Sequence, residues 1–463
     1  MGRESGGDAA GRLRRVPATG TLLAQPALAA LVARFGHPVV AQAVRHVLAA
    51  ERARLRRGGR PRPPAQLLAA VDSAVRATVQ GPLRRVVNGT GVILHTNLGR
   101  APLSAAAATA VAEIAAGYSS LELDLATGRR RDRRALLETL LCQATGAEAA
   151  TVANNGAAAL LLALTSLCHG RAVLVSRGEA IEIGGGFRIP ELLACSGARL
   201  VDVGTTNRTR VDDYRRATDQ ATAAWLRVHP SNFRIEGFAG RPGTGELAVA
   251  AHAAGVLLLV DAGSGLVYPA AGATAAEEAM PAALAAGADL VLGSGDKLLG
   301  AGQVGIAAGG RALVDRLARH PLARALRPDK LQLAALQATL LAHVTPGRLR
   351  DVPVWRMLGL EPAELRRRVD RWVEELAAAG IAAETIGCEG AVGGGTTPGP
   401  GLPSFGLRLA AARPERLRAR LLAGEPPVLV LSGADGVTID ARTVLPGEDA
   451  QLLGAIRAAS GRD

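Results

Sequence analysis

The chain has 463 residues, 48% of them hydrophobic but only 2% aromatic, and a formal charge of +13. General disorder and a membrane-spanning architecture are excluded, and the core must be packed from Ala, Leu and Val. Cys142, Cys168, Cys195 and Cys388 are scattered without metal-ligand spacing, which excludes a zinc site and a disulfide framework and suits a reduced, cytoplasmic protein.

Residues 1–20 are polar. Helical periodicity follows at 22–34 ("LLAQPALAALVAR") and 38–57, the latter opening at Pro38 and ending in a basic tail before "GGRPRPP", a loop or linker. A third helical pattern covers 65–78. Residues 1–80 hold 13 arginines against four acidic residues, so they carry most of the charge excess. A small helical domain of this kind suits a polyanionic partner, with a solvated, arginine-biased cap as the alternative.

From residue 84 the texture changes. Apolar runs at 171–176, 198–204, 223–229, 255–263 and 288–294 are strands. Helical segments near 104–116, 133–144, 156–168 and 209–220 lie between or before them. Unbroken apolar strands separated by helices predict an α/β domain with a mostly parallel, buried sheet over 81–345. A helical stretch through 311–345 closes it. Residues 346–463 form a smaller α/β domain, with a helix at 360–379 and a strand at 427–433. No Walker loop or dinucleotide fingerprint follows a strand, so NTPase and Rossmann functions lack their main feature.

Three features carry chemistry. "NNGAAALLLAL" (154–164) starts a helix with Asn155, Gly156 and Ala157, where free amides and small side chains suit a phosphate, though a capped buried helix reads the same. "LLLVDAGSG" sets Asp261 just after a buried strand, where it would pair with a protonated ring nitrogen, bind a metal, orient a histidine or simply cap the turn. "LVLGSGDKLLGAG" sets Lys297 after another such strand. It is one of two lysines among 54 basic residues, the other being Lys330. A primary amine there can form a Schiff base and then act as a proton-transfer base, which a guanidinium cannot do. A solvent-exposed turn lysine is the alternative. Together the three make pyridoxal 5′-phosphate the economical cofactor, in an order similar to the aspartate-aminotransferase-like group, fold type I.

Longer stretches narrow this. "VNGTGVILHTNLGRAPLS" (87–104), "GYSSLELDLATG" (117–128), the run 181–209, "SNFRIEGF" (231–238) and "LGSGDKLLGAGQVG" (292–305) resemble the family of bacterial L-seryl-tRNA(Sec) selenium transferases, the selenocysteine synthases. The resemblance implies a pyridoxal-phosphate enzyme with Lys297 as the Schiff-base lysine. It also implies seryl-tRNA(Sec) as substrate, β-elimination of water, and addition of selenium from selenophosphate. Arg100, Arg324 and Arg327 become candidates for binding the selenium donor, the last two on one helical face if that helix continues. Asn232 and Arg234 would line the site, and His95 would touch cofactor or substrate or be structural. Residues 1–80 would hold the tRNA by shape and backbone charge. The family implies a homo-oligomer built from dimers, a ring-like decamer, with sites completed across subunit contacts. Leu123, where an aromatic is expected, and the basic stretch 128–133 depart from the pattern. The rival functions are a pyridoxal-phosphate lyase acting on a small amino acid or amino sugar acid, a catalytically inactive tRNA-binding protein, and a nucleic-acid-binding regulator fused to a transaminase-like domain.

Overall fold

The computed structural model describes residues 11–461 except 82, 185, 270 and 397. The chain divides into two compact units between Arg85 and Val86.

In the first unit, helices run over Thr19–Leu23, Pro26–Phe35, His37–Arg56 and Pro64–Gln80. Prolines sit in the first turns of the last three, where a missing N–H is harmless. Leu28, Val40, Val44, Leu48, Val71 and Val75 form the core of this unit. The Gly/Pro-rich stretch is pinned. Glu51, 1% exposed, accepts from Arg54 Nη2 at 2.7 Å, Arg62 Nε at 2.7 Å and the Arg62 amide at 3.0 Å. These bonds, led by Arg54, outweigh burial and hold the Glu51 carboxyl down at about 2. Below the ordinary value of 4.5 the unfolded chain takes up the proton while the folded chain stays ionised. The Glu51 contribution is therefore complete above that value and lost as pH falls through about 2. Glu51→Gln is expected to cost about 2 kcal/mol at neutral pH, read as a lower urea midpoint. The gap should close as both proteins are titrated into acid.

The strands of the second unit are β1 (Val87–Gly89), β2 (Val92–Leu94), β3 (Ala149–Ala153), β4 (Ala172–Ser176), β5 (Glu182–Gly184), β6 (Phe187–Arg188), β7 (Arg199–Val203), β8 (Thr222–Val228), β9 (Leu257–Asp261), β10 (Leu290–Ser294), β11 (Gly305–Gly309), β12 (Glu384–Gly393), β13 (Leu402–Ala410), β14 (Val428–Ser432) and β15 (Gly436–Asp440). The larger sheet has the order β3-β11-β10-β9-β8-β4-β7. Its strands are parallel except β11, which runs antiparallel to both neighbours. Helices cover both faces. Gly156–Cys168, Ile189–Ser196 and Arg311–Arg319 pack on one. Glu138–Thr145, Thr244–Ala253 and Lys330–Val344 pack on the other. Burial on both sides explains the unbroken apolar runs of β8, β9 and β10.

The second sheet has the order β1-β14-β15-β13-β12-β2. This differs from the sequence reading, in which residues 81–345 formed one domain. β1 and β2 leave that stretch and pair in parallel with β14 and β12, some 300 residues later. The helices Pro362–Ala377, Pro414–Leu422 and Asp449–Ser460 cover this sheet through Val369, Trp372, Leu421 and Ile456. The predicted helix through 311–345 is broken into Arg311–Arg319, Pro321–Ala325 and Lys330–Val344. Pro321 starts the middle piece, and Pro328 disfavours helical geometry at Arg327. No described helix is long and apolar enough to cross a membrane.

Candidate active site

The carboxyl ends of the larger sheet meet at a cavity of about 370 Å³. Asn155, Gly156 and Ala157 follow β3, Asp261 ends β9, and Lys297 lies in the turn after β10. All five line this cavity.

The turn holding Lys297 is fixed from below. Leu298 and Leu299 are fully buried. The Leu298 amide donates to Ser264 O at 2.9 Å, and Trp355 Nε1 donates to Leu298 O at 2.8 Å. Lys297 itself is 5% exposed. Burial lowers its amine below the ordinary lysine value, Asp261 opposes that, and Arg100 adds to it. A larger share of the amine is therefore neutral, as a nucleophile or base requires. Gly395, at φ +88°, lies directly over the side chain, and a Cβ there would sit 2.4 Å from Lys297 Cε. Only glycine fits. The segment after β12 thus forms the roof of the lysine.

Asp261 is held from both sides. Its Oδ1 accepts from the Gly263 amide at 3.0 Å, and its carbonyl accepts from the His229 amide at 3.0 Å. Burial raises its carboxyl, while Lys297 and His229 pull it back. Asn155 caps the helix Gly156–Cys168 by accepting from Ala158 N at 2.9 Å. That leaves the amides of Gly156 and Ala157 without a hydrogen bond among the described residues. Unsatisfied amides at the positive end of a 13-residue helix are a ready anion site.

Arg100 also lines this cavity. It adopts left-handed geometry, φ 63°, unusual for a side chain of its size. Its Nη1 donates to Asp296 Oδ2 at 2.6 Å. Asp296 escaped the sequence reading. Its place between a strand end and Lys297 was the available signal. A second group that escaped is the buried pair His229–Glu277, 2.8 Å apart. The Ser231 amide donates to His229 Nδ1 at 2.9 Å, which orients the ring beside Glu277.

Several expected residues lie elsewhere. Asn232 does not line the cavity. It donates to Ile183 O and accepts from the Gly395 amide at 3.0 Å, joining the cavity wall to the roof over Lys297. Thr96 and Asn97 line the cavity in place of His95. Arg234 lines a different cavity, beside the first. Arg324 and Arg327 line a third, of about 570 Å³, together with the basic stretch 130–134. They do not share a helix, because Pro321–Ala325 ends before Arg327. Arg327 lies 3.6 Å from Glu122, which also accepts from Arg133 at 2.6 Å and Arg130 at 2.9 Å. No cluster suited to a metal occurs among the described residues.

Sequence comparison adds the family. The profile described as L-seryl-tRNA selenium transferase matches residues 86–445, and one described as selenocysteine synthase N terminal matches residues 13–52. The chain belongs to this family. It is 42% identical over 455 residues to the L-seryl-tRNA(Sec) selenium transferase of Moorella thermoacetica, covering 96% of each chain. The corresponding protein of Carboxydothermus hydrogenoformans is 41% identical over 443 residues, covering 94% of this chain and 95% of the other. Among solved structures, D-glucosaminate-6-phosphate ammonia-lyase superposes with a TM-score of 0.56 at 20% identity, over 82% of this chain and 96% of that one. That likeness concerns the fold, which is the aminotransferase-like fold type I with additional domains.

Proposed function

We propose that this chain converts L-seryl-tRNA(Sec) to L-selenocysteinyl-tRNA(Sec), using pyridoxal 5′-phosphate held in the cavity of Lys297. The observation that carries this is the convergence on one cavity of a buried amine, a strand-end carboxylate and two unsatisfied helix amides, in a chain of this family. When bound, the cofactor supplies an electron sink that lets serine lose its Cα proton and then its β-hydroxyl.

The remaining roles belong to the protein. The Gly156 and Ala157 amides hold the phosphate. Asp261 would supply the carboxylate that favours the protonated form of the cofactor ring. Lys297 Nζ would hold the cofactor and, as a buried amine, would take the proton from serine Cα. Burial beneath Gly395 would keep water from the amine. Arg100, oriented by Asp296, faces the anionic selenium donor. Arg324 and Arg327 do not face Lys297 within one chain. We assign them to the donor site of a neighbouring subunit, in an oligomer built from dimers. The flank 118–125, with Tyr118, Leu123 and Leu125 exposed, supports a subunit contact there. The helical unit takes the tRNA body, and the enzyme works in the cytoplasm.

The deciding experiment supplies the purified protein and pyridoxal phosphate with seryl-tRNA(Sec) and radiolabelled selenophosphate. Label should enter the aminoacyl ester. Turnover of a free amino acid or amino sugar acid, with none of the charged tRNA, would establish the lyase reading instead.

A further inference from the structure

The turn that carries Lys297 lies where two cores meet. Leu298 belongs to the core that includes Leu266, Val354 and Met357, and Leu299 to the one that includes Leu333, Leu336 and Leu340. Both residues are fully buried, and their carbonyls with them. No backbone N–H among the described residues donates to either carbonyl. A buried carbonyl left without a donor is costly. Here both donors are ring N–H groups from far along the chain. Trp355 Nε1 donates to Leu298 O across 57 residues, at 2.8 Å, and His343 Nε2 donates to Leu299 O across 44 residues, at 2.7 Å. A carbonyl can only accept, so the His343 proton is on Nε2.

His343 is held as a neutral ring. Its Nδ1 is buried without a hydrogen bond among the described residues, so a second proton would find no acceptor there. Burial also lowers its basicity, with the bond to Leu299 opposing. Tyr268 sets the ring planes. It stacks on His343 with centroids 5.4 Å apart and meets Trp355 edge-on at 5.6 Å. Its hydroxyl donates to the His343 carbonyl, in the last turn of the helix Lys330–Val344. Tyr268 belongs to the loop that follows β9 and Asp261, and Ser264 of the same loop accepts from the Leu298 amide at 2.9 Å. The loop of the carboxylate and the turn of the amine are thereby tied at two points. Gly300 closes the turn at φ +75°, so near Val352 that a Cβ would lie 2.3 Å from Val352 Cγ1.

Resting on Lys297 as the working amine, we infer that His343 and Trp355 are positioning residues for it, two N–H donors that fix the backbone from which its side chain rises. Neither lines the cavity, so both act through the turn and not on substrate. With one donor gone, a buried carbonyl is driven to turn toward water, and the amine leaves its place beneath Gly395. A small displacement of a reacting group is expensive in rate. Tyr268 makes the two donors one unit and sets their distance from the loop of Asp261.

The test uses the full-length protein. Trp355→Phe and His343→Leu each remove one N–H while keeping apolar bulk, and His343→Gln returns a donor close to the Nε2 position. The Phe and Leu variants should lower kcat about tenfold with KM for seryl-tRNA(Sec) unchanged. A second readout needs no turnover. With the cofactor removed, labelling of Lys297 by trinitrobenzenesulfonate is followed by mass spectrometry, with Lys330 as the internal reference. Its pH midpoint should rise toward the ordinary lysine range in both variants, as water reaches the amine. His343→Gln should recover most of both effects. A lower urea midpoint with wild-type kcat and labelling midpoint would overturn the assignment and leave a structural role. So would a His343→Gln variant no better than His343→Leu. A wild-type Lys297 that labels as an ordinary solvent-exposed amine would instead count against Lys297 as the working amine, separately from this inference.

Discussion

Lys297→Ala should abolish selenium transfer, lowering kcat by about 10⁴ or more, and remove the visible absorbance of the cofactor. The size follows from two roles in one amine. It fixes the cofactor against a helix N-terminus and a carboxylate, and it moves the proton at serine Cα. No other amine lines the cavity among the described residues, since Lys330 donates to Gly117 O instead. Lys297→Arg should fare no better, because a guanidinium stays protonated where burial lowers the lysine. Adding a small primary amine should restore part of the rate to the alanine variant but not to the arginine variant, whose side chain fills the space. An alanine variant that keeps both its absorbance and its rate would place the chemistry elsewhere. Affinity for tRNA should change little in either, which separates loss of chemistry from loss of fold.

The second large effect is expected at Asp261. Asp261→Asn keeps the shape and the bond from the Gly263 amide but removes the charge that holds a proton on the ring nitrogen. The loss should be about 10²- to 10³-fold in kcat, the range for removing one preorganised electrostatic partner. Cofactor affinity should fall as well. The absorbance band should persist, since Lys297 is intact. A variant with wild-type kcat would reduce Asp261 to a turn cap.

How far these sites could be read from the sequence depended on what each strand had to exclude. β8, β9 and β10 are buried on both faces and carry large aliphatics, so their ends, and with them Asp261 and Lys297, stood out. β11, "GIAAG", is equally buried yet reads as loop. A Cβ on Gly305 would lie 2.1 Å from Asn155 O, and one on Gly309 2.2 Å from Asp289 O. Close packing there removed the residues that announce a strand. β12 contains three glycines, two of which, Gly390 and Gly393, pack against the Gly91 and Leu94 carbonyls, and it went unread for a similar reason. Arg324 and Arg327 fit a helical spacing, but Pro328 denies it to them. Asp296 and the pair His229–Glu277 left little trace, because a partner distant in sequence defines each.

The roof over Lys297 also has a history in the growth of the chain. β2 leaves the ribosome early and pairs with β12 only after some 300 more residues have been made. Gly395 follows just after β12. Until then the roof over the amine is missing. A chain that stops short of Gly395 therefore lacks the cover over Lys297. Folding through so distant a pairing is intrinsically slow. It also ties the cover over Lys297 to a strand pairing that spans most of the second unit.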